Sequence, residues 1–550
     1  MKILSLFKNQ KKTGAWLLLL LLLLTKLLPA ALAQTVVTKQ WDKLYGGSGI
    51  EAFRSVVATN DGGFLLGGYS KSGISGDKTM VPRGESDFWV VRVNADGNKL
   101  WDRSYGGSNI DELTSMLATQ DGGFLLGGYS RSTISGDKTE APWGWDYDYW
   151  VVRIDANGDK LWDRRFGGSN VDQLTSMVAA SDGGFLLGGH SRSLSGGDKT
   201  EAPRGEADFW AVRIDASGNK VWDRRFGGNL YEALTSVVAT QDGGFLLGGY
   251  LLPGSGGDIS ESPKGGNDFW AVRIDAAGNK VWDRRLGGSG QDELTAMLAT
   301  QDGGFLLGGH TRSGKDGDVT ETLRGGADFW VVKVDAAGSK LWDRRYGGKG
   351  YDFIFSMEST QDGGFLLGGH SDSGADGDKT EESRGGIDFW VVRINADGHK
   401  LWDKRYGGSG DDLLFSVAGT QDSGFLLGGE LRTGLGGDIS ETSRGGQDYW
   451  ALRIKSSLAT GVKESEMAKQ LLLYPNPVTG LLRISLPLPR QKEVELRLLD
   501  AQGREVLRES QAQQTGKFEA TLQLKSLPAG VYLLQLVTDQ EVISKRIVKE

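Results

Sequence analysis

One recurring pattern governs what this chain can fold into. The string W-D-x-x-[YF]-G-G appears at Trp41, Trp101, Trp162, Trp222, Trp282, Trp342 and Trp402, the fifth copy reading WDRRLGG, at spacings of 60 or 61 residues. A second series, D-[FY]-W, ends at Trp89, Trp150, Trp210, Trp270, Trp330, Trp390 and Trp450. A third, Q-D-G-G-F-L-L-G-G with minor changes, lies between them. The first two series use 14 of the 17 tryptophans, so one unit, copied with few changes, makes up most of the 550 residues. A fixed period of this kind marks a repeat architecture, in which each module buries its apolar face against its neighbours.

Each unit reads as four strands, A to D. In the third they fall at 174–179, 185–190, 208–214 and 220–226, with D-G or S-G at the two tight turns and a long polar loop between B and C. Four antiparallel strands per repeat indicate a β-propeller. The first unit starts with a lone D strand around Trp41, and the last loses its D strand after Ile454. The N-terminal strand is therefore expected to complete the last blade and close a seven-bladed ring without free edges. An open solenoid would need no such complementary half-units. WD-repeat units run about 40–45 residues, so the W-D dipeptide does not place the chain among them. In a meander of this order the long B–C loops and the D–A connections share one face, where variation and function tend to concentrate.

The first 33 residues read as a signal peptide. Lys2, Lys8, Lys11 and Lys12 precede an apolar run at 17–24, and Ala31-Leu32-Ala33 ends the segment, with cleavage expected between Ala33 and Gln34. The run is too short to span a membrane, and the mature chain holds no transmembrane helix. Without this segment the charge is −13, and residues 34–465 carry −15. That balance argues against nucleic acid as a partner. The absence of cysteine excludes disulfides, thiolate metal sites and a cysteine nucleophile.

After residue 454 the repeats stop. Residues 455–470 read as a linker and 471–550 as about seven short strands, as in a small β-sandwich. This segment contains Tyr474-Pro475-Asn476-Pro477, a D-x-x-G-R turn at 500–504, Leu527-Pro528-Ala529-Gly530-Val531-Tyr532 and a basic end with Lys545, Arg546 and Lys549. It resembles the type A C-terminal sorting domain of the type IX secretion system of the Bacteroidota. The resemblance implies export through the inner membrane by the signal peptide, then across the outer membrane by the type IX machinery. It also implies cleavage by the sortase, with the product released or attached to the outer surface. The repeats themselves resemble a propeller repeat of about 60 residues found in secreted cargo of the same bacteria.

Chemistry-bearing positions recur in every unit. Asp77, Asp137, Asp198, Asp258, Asp318, Asp378 and Asp438 are candidate calcium ligands, as carboxylates among loop carbonyls suit that ion. They equally suit turn capping. Two further acidic series, beginning at Glu51 and Asp87, flank the same face. The C–D turns, such as Asp155-Ala156-Asn157-Gly158-Asp159, share the first Asp/Asn and the glycine, which a hairpin requires and a cation does not, and between them only an alanine. Strand B ends in Tyr69, Tyr129, His190, Tyr250, His310, His370 and Glu430, where two histidines and a carboxylate on successive blades have metal-ligand chemistry. Trp143, Trp145 and Tyr147, in the one B–C loop that departs from R-G-G-x-D-F-W, are candidate ligand-binding residues. They equally suit packing against a neighbouring loop. No nucleophile–base pair, phosphate loop or H-E-x-x-H is present. The chain thus reads as a secreted or surface-attached, non-catalytic propeller that binds a glycan or protein, with calcium as the one cofactor to consider. The alternative is a polysaccharide-active hydrolase or lyase with its site on the long-loop face.

Overall fold

The computed structural model describes residues 35–432, 435–458, 470–499, 505–525, 527–528, 530–537 and 542–549. The expected signal peptide, most of the expected linker and the turn at 500–504 lie outside these. Among the described residues no helix is long and apolar enough to cross a membrane. The repeats form one unit, Val37–Lys455, and the C-terminal strands another.

The tight turns set the blades. In six A–B hairpins the first glycine of D-G-G takes a positive φ, as at Gly183 (φ 88) and Gly363 (φ 80), which the turn requires and a side chain resists. The seventh hairpin holds Ser423 at φ 61 instead. The turn aspartate is then tied down by a buried arginine of strand C. Arg92 donates to Asp61 at 2.6 Å, and Arg153 does the same to Asp121.

Each blade is a four-stranded antiparallel sheet ordered A-B-C-D, for example Asp172–Ala179, Phe185–Ser191, Asp208–Ile214 and Lys220–Phe226. A bulge between Leu174 and Ser176 bends strand A, which steepens the local twist. In the seventh blade Asp412–Gly419, Gly424–Leu431 and Asp448–Leu458 take the A, B and C places, and Thr35–Tyr45 takes the D place. The borrowed strand reproduces the loop-anchoring bond of a native one. Asp42 accepts from the Ser440 backbone N–H at 2.8 Å, as Asp102 accepts from Thr79 at 2.9 Å inside the first blade. Lys43 adds an ion pair with Glu441 at 2.9 Å.

The repeat motifs meet in the folded blade. The D-[FY]-W tryptophan is fully buried and in six blades donates its indole N–H to the W-D aspartate, as Trp89 does to Asp102 and Trp210 to Asp223, each at 3.1 Å; Trp450 of the seventh blade finds no such partner. This satisfies a donor and a carboxylate that burial would otherwise penalise. The core lies between blades rather than within them. One cluster joins Leu125, Tyr149 and Val151 of the second blade to Leu174, Met177 and Trp210 of the third. The close approach depends on glycine: a Cβ on Gly127 would sit on the Met177 thioether. The cluster of Ala418, Leu426 and Tyr449 with Phe53, Leu66 and Trp89 joins the last blade to the first, so the ring is closed.

In the tail, five strands are described, at Leu472–Tyr474, Leu481–Leu499, Glu505–Gln523, Gly530–Val537 and Val542–Lys549. The expected count of about seven is too high because two strands are 19 residues long and each serves twice. Their pairing shifts between Leu488 and Val494, and the halves on either side feed one core: Leu482, Ile484 and Leu486 from one, Val494, Leu496 and Leu498 from the other.

Candidate ligand-binding site

The A strands are innermost, because they bond to one another round the axis. Thr114, Thr175 and Thr235 donate to the A-strand carbonyls of Leu174, Leu234 and Leu294 at 2.8 Å, and Thr295 to Ile354 at 2.6 Å. The threonine is the fourth residue of strand A. On the other three blades that position is Phe355, Phe415 and Arg54. This position lies outside the three repeat motifs, although the switch from Thr to Phe, Phe and Arg is visible once the strands are aligned.

Those three residues, with their neighbours, build an asymmetric cluster on the axis beside the long-loop face. The Arg54 guanidinium lies over the rings of Tyr69 and Phe415, 5.4 and 5.1 Å from their centroids, and donates to Glu430 at 2.6 Å. Glu430 is buried, which raises its carboxyl above the ordinary range, against the pull of Arg54. His370 stacks on Phe355 at 4.9 Å. Phe353, Phe355 and Phe415 stay half-exposed and present ring surface to the axis.

The B-strand ends do not converge as metal ligands. The Phe353 ring touches both His310 and His370, at 4.7 and 5.8 Å, while Glu430 belongs to Arg54. Burial holds His190, His310 and His370 down to about 4, so all three are neutral at pH 7. Among the described residues no three His, Asp or Glu side chains gather to hold a metal ion.

Each aspartate of the Asp77 series meets a cation from the preceding blade. Arg444 pairs with Asp77 at 3.0 Å, Arg83 with Asp137 at 2.6 Å, Arg165 with Asp198 at 2.5 Å, Arg324 with Asp378 at 3.0 Å and Arg384 with Asp438 at 2.8 Å. Arg204 and Lys264 serve Asp258 and Asp318. The other two acidic series are buried in pairs at the blade junctions. Asp388 and Asp412 are fully buried, each with a carboxyl oxygen lacking a partner. They converge so closely that a Cβ on Gly407 would collide with both. The C–D turn at 155–159 is a hairpin in which Asp155 accepts from the backbone of Asn157 and Asp159, each at 2.8 Å.

Trp143, Trp145 and Tyr147 have separate surroundings. Trp143 stands where the other loops carry the Arg or Lys that reaches the next blade; its indole donates to Asp198 at 3.0 Å, and Arg165 lies 4.8 Å from its ring. Tyr147 packs edge-on against Tyr129 at 5.2 Å, under Arg131. Trp145 is 95% exposed.

The sorting residues come together in their own unit. Asn476 accepts from the Val548 backbone at 2.8 Å, Lys545 donates to the Leu471 carbonyl at 3.2 Å, and Tyr532 donates to Pro528 at 2.8 Å. The first motif thereby docks on the last strand, and Gly530 pairs with Lys549. The segments Tyr474-Pro475 and Asn476-Pro477 are both cis.

Residues 472–550 match the family described as the secretion system C-terminal sorting domain. The chain is also similar to the regulatory protein FlaEY of Caulobacter vibrioides, 24% identical over 357 residues, 59% of this chain and 37% of that protein. It therefore spans little more than a third of that relative's length. Solved structures with likeness to it include puromycin hydrolase, 12% identical, TM-score 0.40, covering 80% of this chain and 59% of that one. A DUF4221 member from Bacteroides vulgatus is 8% identical, TM-score 0.34, covering 78% and 99%. An apocarotenoid oxygenase of Synechocystis is 10% identical, TM-score 0.35, covering 90% and 98%. The repeats make the protein a closed seven-bladed propeller. Its tail makes it a cargo of the type IX secretion system, delivered to the cell surface or the extracellular space.

Proposed function

We propose that the propeller is a non-catalytic binding module that holds a glycan or protein ligand on its long-loop face. The observation that carries this reading is the break in the threonine ring. Three adjacent blades replace a structural hydroxyl with Phe355, Phe415 and Arg54, leaving aromatic surface half-exposed on the axis. Aromatic faces of this kind stack on sugar rings and apolar side chains. The titratable groups beside them suit binding better than acid–base chemistry, since burial leaves the histidines weak bases and Glu430 is held by Arg54. Trp145, exposed at the rim, is a second contact in the same reading.

The test is a binding screen of the full chain against glycan and protein ligands, with and without a chelator. The double substitution Phe355→Ala, Phe415→Ala is expected to weaken the retained ligand at least about tenfold. Binding unchanged in that variant removes the axial cluster from the reading. Binding unchanged in Trp143→Ala, Trp145→Ala removes the rim contact.

A further inference from the structure

The long-loop face carries a ring of cations that the fold leaves without acidic partners. The residue following each B strand reads Lys71, Arg131, Arg192, Leu252, Arg312, Asp372 and Arg432. Its place is the same in every blade: its backbone N–H donates to the residue just ahead of strand A, Lys71 to Ile50, Arg131 to Ile110, Arg192 to Val171 and Arg312 to Gln291. Because strand A is innermost, the seven positions encircle the propeller axis.

The side chains are aimed by alternation. Ser130 and Ser132 turn into the blade and are buried, so Arg131 between them turns out and is exposed. Arg131 shares its side of the strand with Tyr129, as Lys71 does with Tyr69, and Tyr69 touches the axial Arg54. On the first blade the ring therefore adjoins the axial cluster.

The cations lack direct ion pairs. None of Lys71, Arg131, Arg192, Arg312 and Arg432 forms an ion pair with a described carboxylate, whereas every aspartate of the Asp77 series is already paired. Of the other acidic groups nearby, Glu430 is paired with Arg54, while Glu112, Glu293 and Asp411 accept from the neutral Tyr129, Asn267 and Ile387 backbone and keep their charge without contacting the ring. Asp372, the one acid in the ring, accepts from the Tyr351 backbone. Three of the arginines lie over tyrosine rings, Arg131 over Tyr147, Arg192 over Tyr231 and Arg312 over Tyr351, at 5.6 to 5.7 Å.

We propose that this ring recognises an anionic polysaccharide, a chain bearing uronate carboxylates or sulfates, which it lays across the long-loop face at the axis. The proposal rests on the binding reading above and names its ligand class. Arginine forks match carboxylate and sulfate, and the adjoining tyrosines offer faces for the sugar rings. The net charge of −15 on residues 34–465 makes the ring the local exception and disfavours any polyanion that runs far past it, so the ring is expected to hold a short stretch of the chain.

The experiment measures affinity of the full chain for polygalacturonate, a sulfated galactan, neutral galactan and single-stranded DNA at low and moderate salt. The expected result is binding of an anionic glycan at least about tenfold tighter than of the neutral one, weakening with salt. The galacturonate and sulfated arms separate the two sources of charge. Arg131→Ala, Arg192→Ala, Arg312→Ala, all at exposed positions, should abolish the preference without changing the melting curve. A control that removes equal charge from outer D strands, Arg164→Ala, Arg224→Ala, Arg284→Ala, should keep it. Equal loss in both triple variants, DNA bound as tightly as the glycan, or no preference for charge overturns the proposal. Retention of neutral glycan or protein alone overturns this inference and leaves the binding reading standing; retention of nothing overturns both.

Discussion

Tyr449 of the last blade packs against Trp89 of the first, with ring centroids 4.9 Å apart, and donates its hydroxyl to the Trp89 carbonyl at 3.0 Å. The same aromatic step occurs at every other junction: Phe88 on Trp150, Tyr149 on Trp210, Phe209 on Trp270, Phe269 on Trp330, Phe329 on Trp390 and Phe389 on Trp450, all within 4.5 to 4.8 Å. The second residue of D-[FY]-W thus reaches the tryptophan of the following blade, and the seventh step returns to the first.

If the ring is closed, the last junction should matter as much as an interior one. Tyr449→Ala and Phe389→Ala should each destabilise the repeat unit by about 3–5 kcal/mol. Urea unfolding of the two variants measures this. A much smaller loss for Tyr449→Ala would indicate ends that do not meet.

The buried acid pairs give a pH dependence of definite sign. Burial, with the nearby charge of Asp388, pushes Asp412 up to about 7, whereas an unfolded aspartate titrates near ~3.9. Between those values the unfolded chain gives up its proton first, so this group's contribution to stability is full at low pH and lost as pH rises through about 7. Asp412→Asn keeps an acceptor for the Gly408 N–H and carries no charge. It should melt above the parent at pH 8 and lose that advantage near pH 4. Parallel melting profiles for the two proteins across this range would contradict the assignment.

Ser423 holds the positive φ that glycine holds in the other six A–B turns. A side chain in that region costs about 1 kcal/mol. Ser423→Gly should raise stability by about that amount in urea unfolding, and a destabilised variant would show that the serine side chain has a compensating role.

The tail prediction concerns delivery. Removing residues 472–550 should leave the repeats folded and keep the protein on the periplasmic side of the outer membrane. Fractionation of cells expressing the truncated chain reads the outcome. Normal delivery to the medium or surface would contradict the assignment of the sorting domain.

Much of this architecture is legible in the sequence, because each motif reports on one local requirement. The lone strand at Trp41 and the missing strand after Ile454 reveal the closure before any contact is known. The partners of the Asp77 series are not legible, since Arg83 reaches Asp137 in the next blade and neither residue's own repeat contains the pair. Arg54, Phe355 and Phe415 are hidden for a related reason. A variable fourth residue means little until strand A is known to be innermost. The tail strands are miscounted because alternation and turn residues do not distinguish two short strands from one long bent one, as at 481–499.

The most direct measurement for a binding propeller reads retention and turnover together. The full chain is incubated with the glycans it retains, and bound ligand is quantified alongside newly released reducing ends or unsaturated products. Saturable retention with no product release, lost in Phe355→Ala, Phe415→Ala, is the expected result. Steady product release by the parent chain, abolished by substitutions on the same face, would contradict a non-catalytic role.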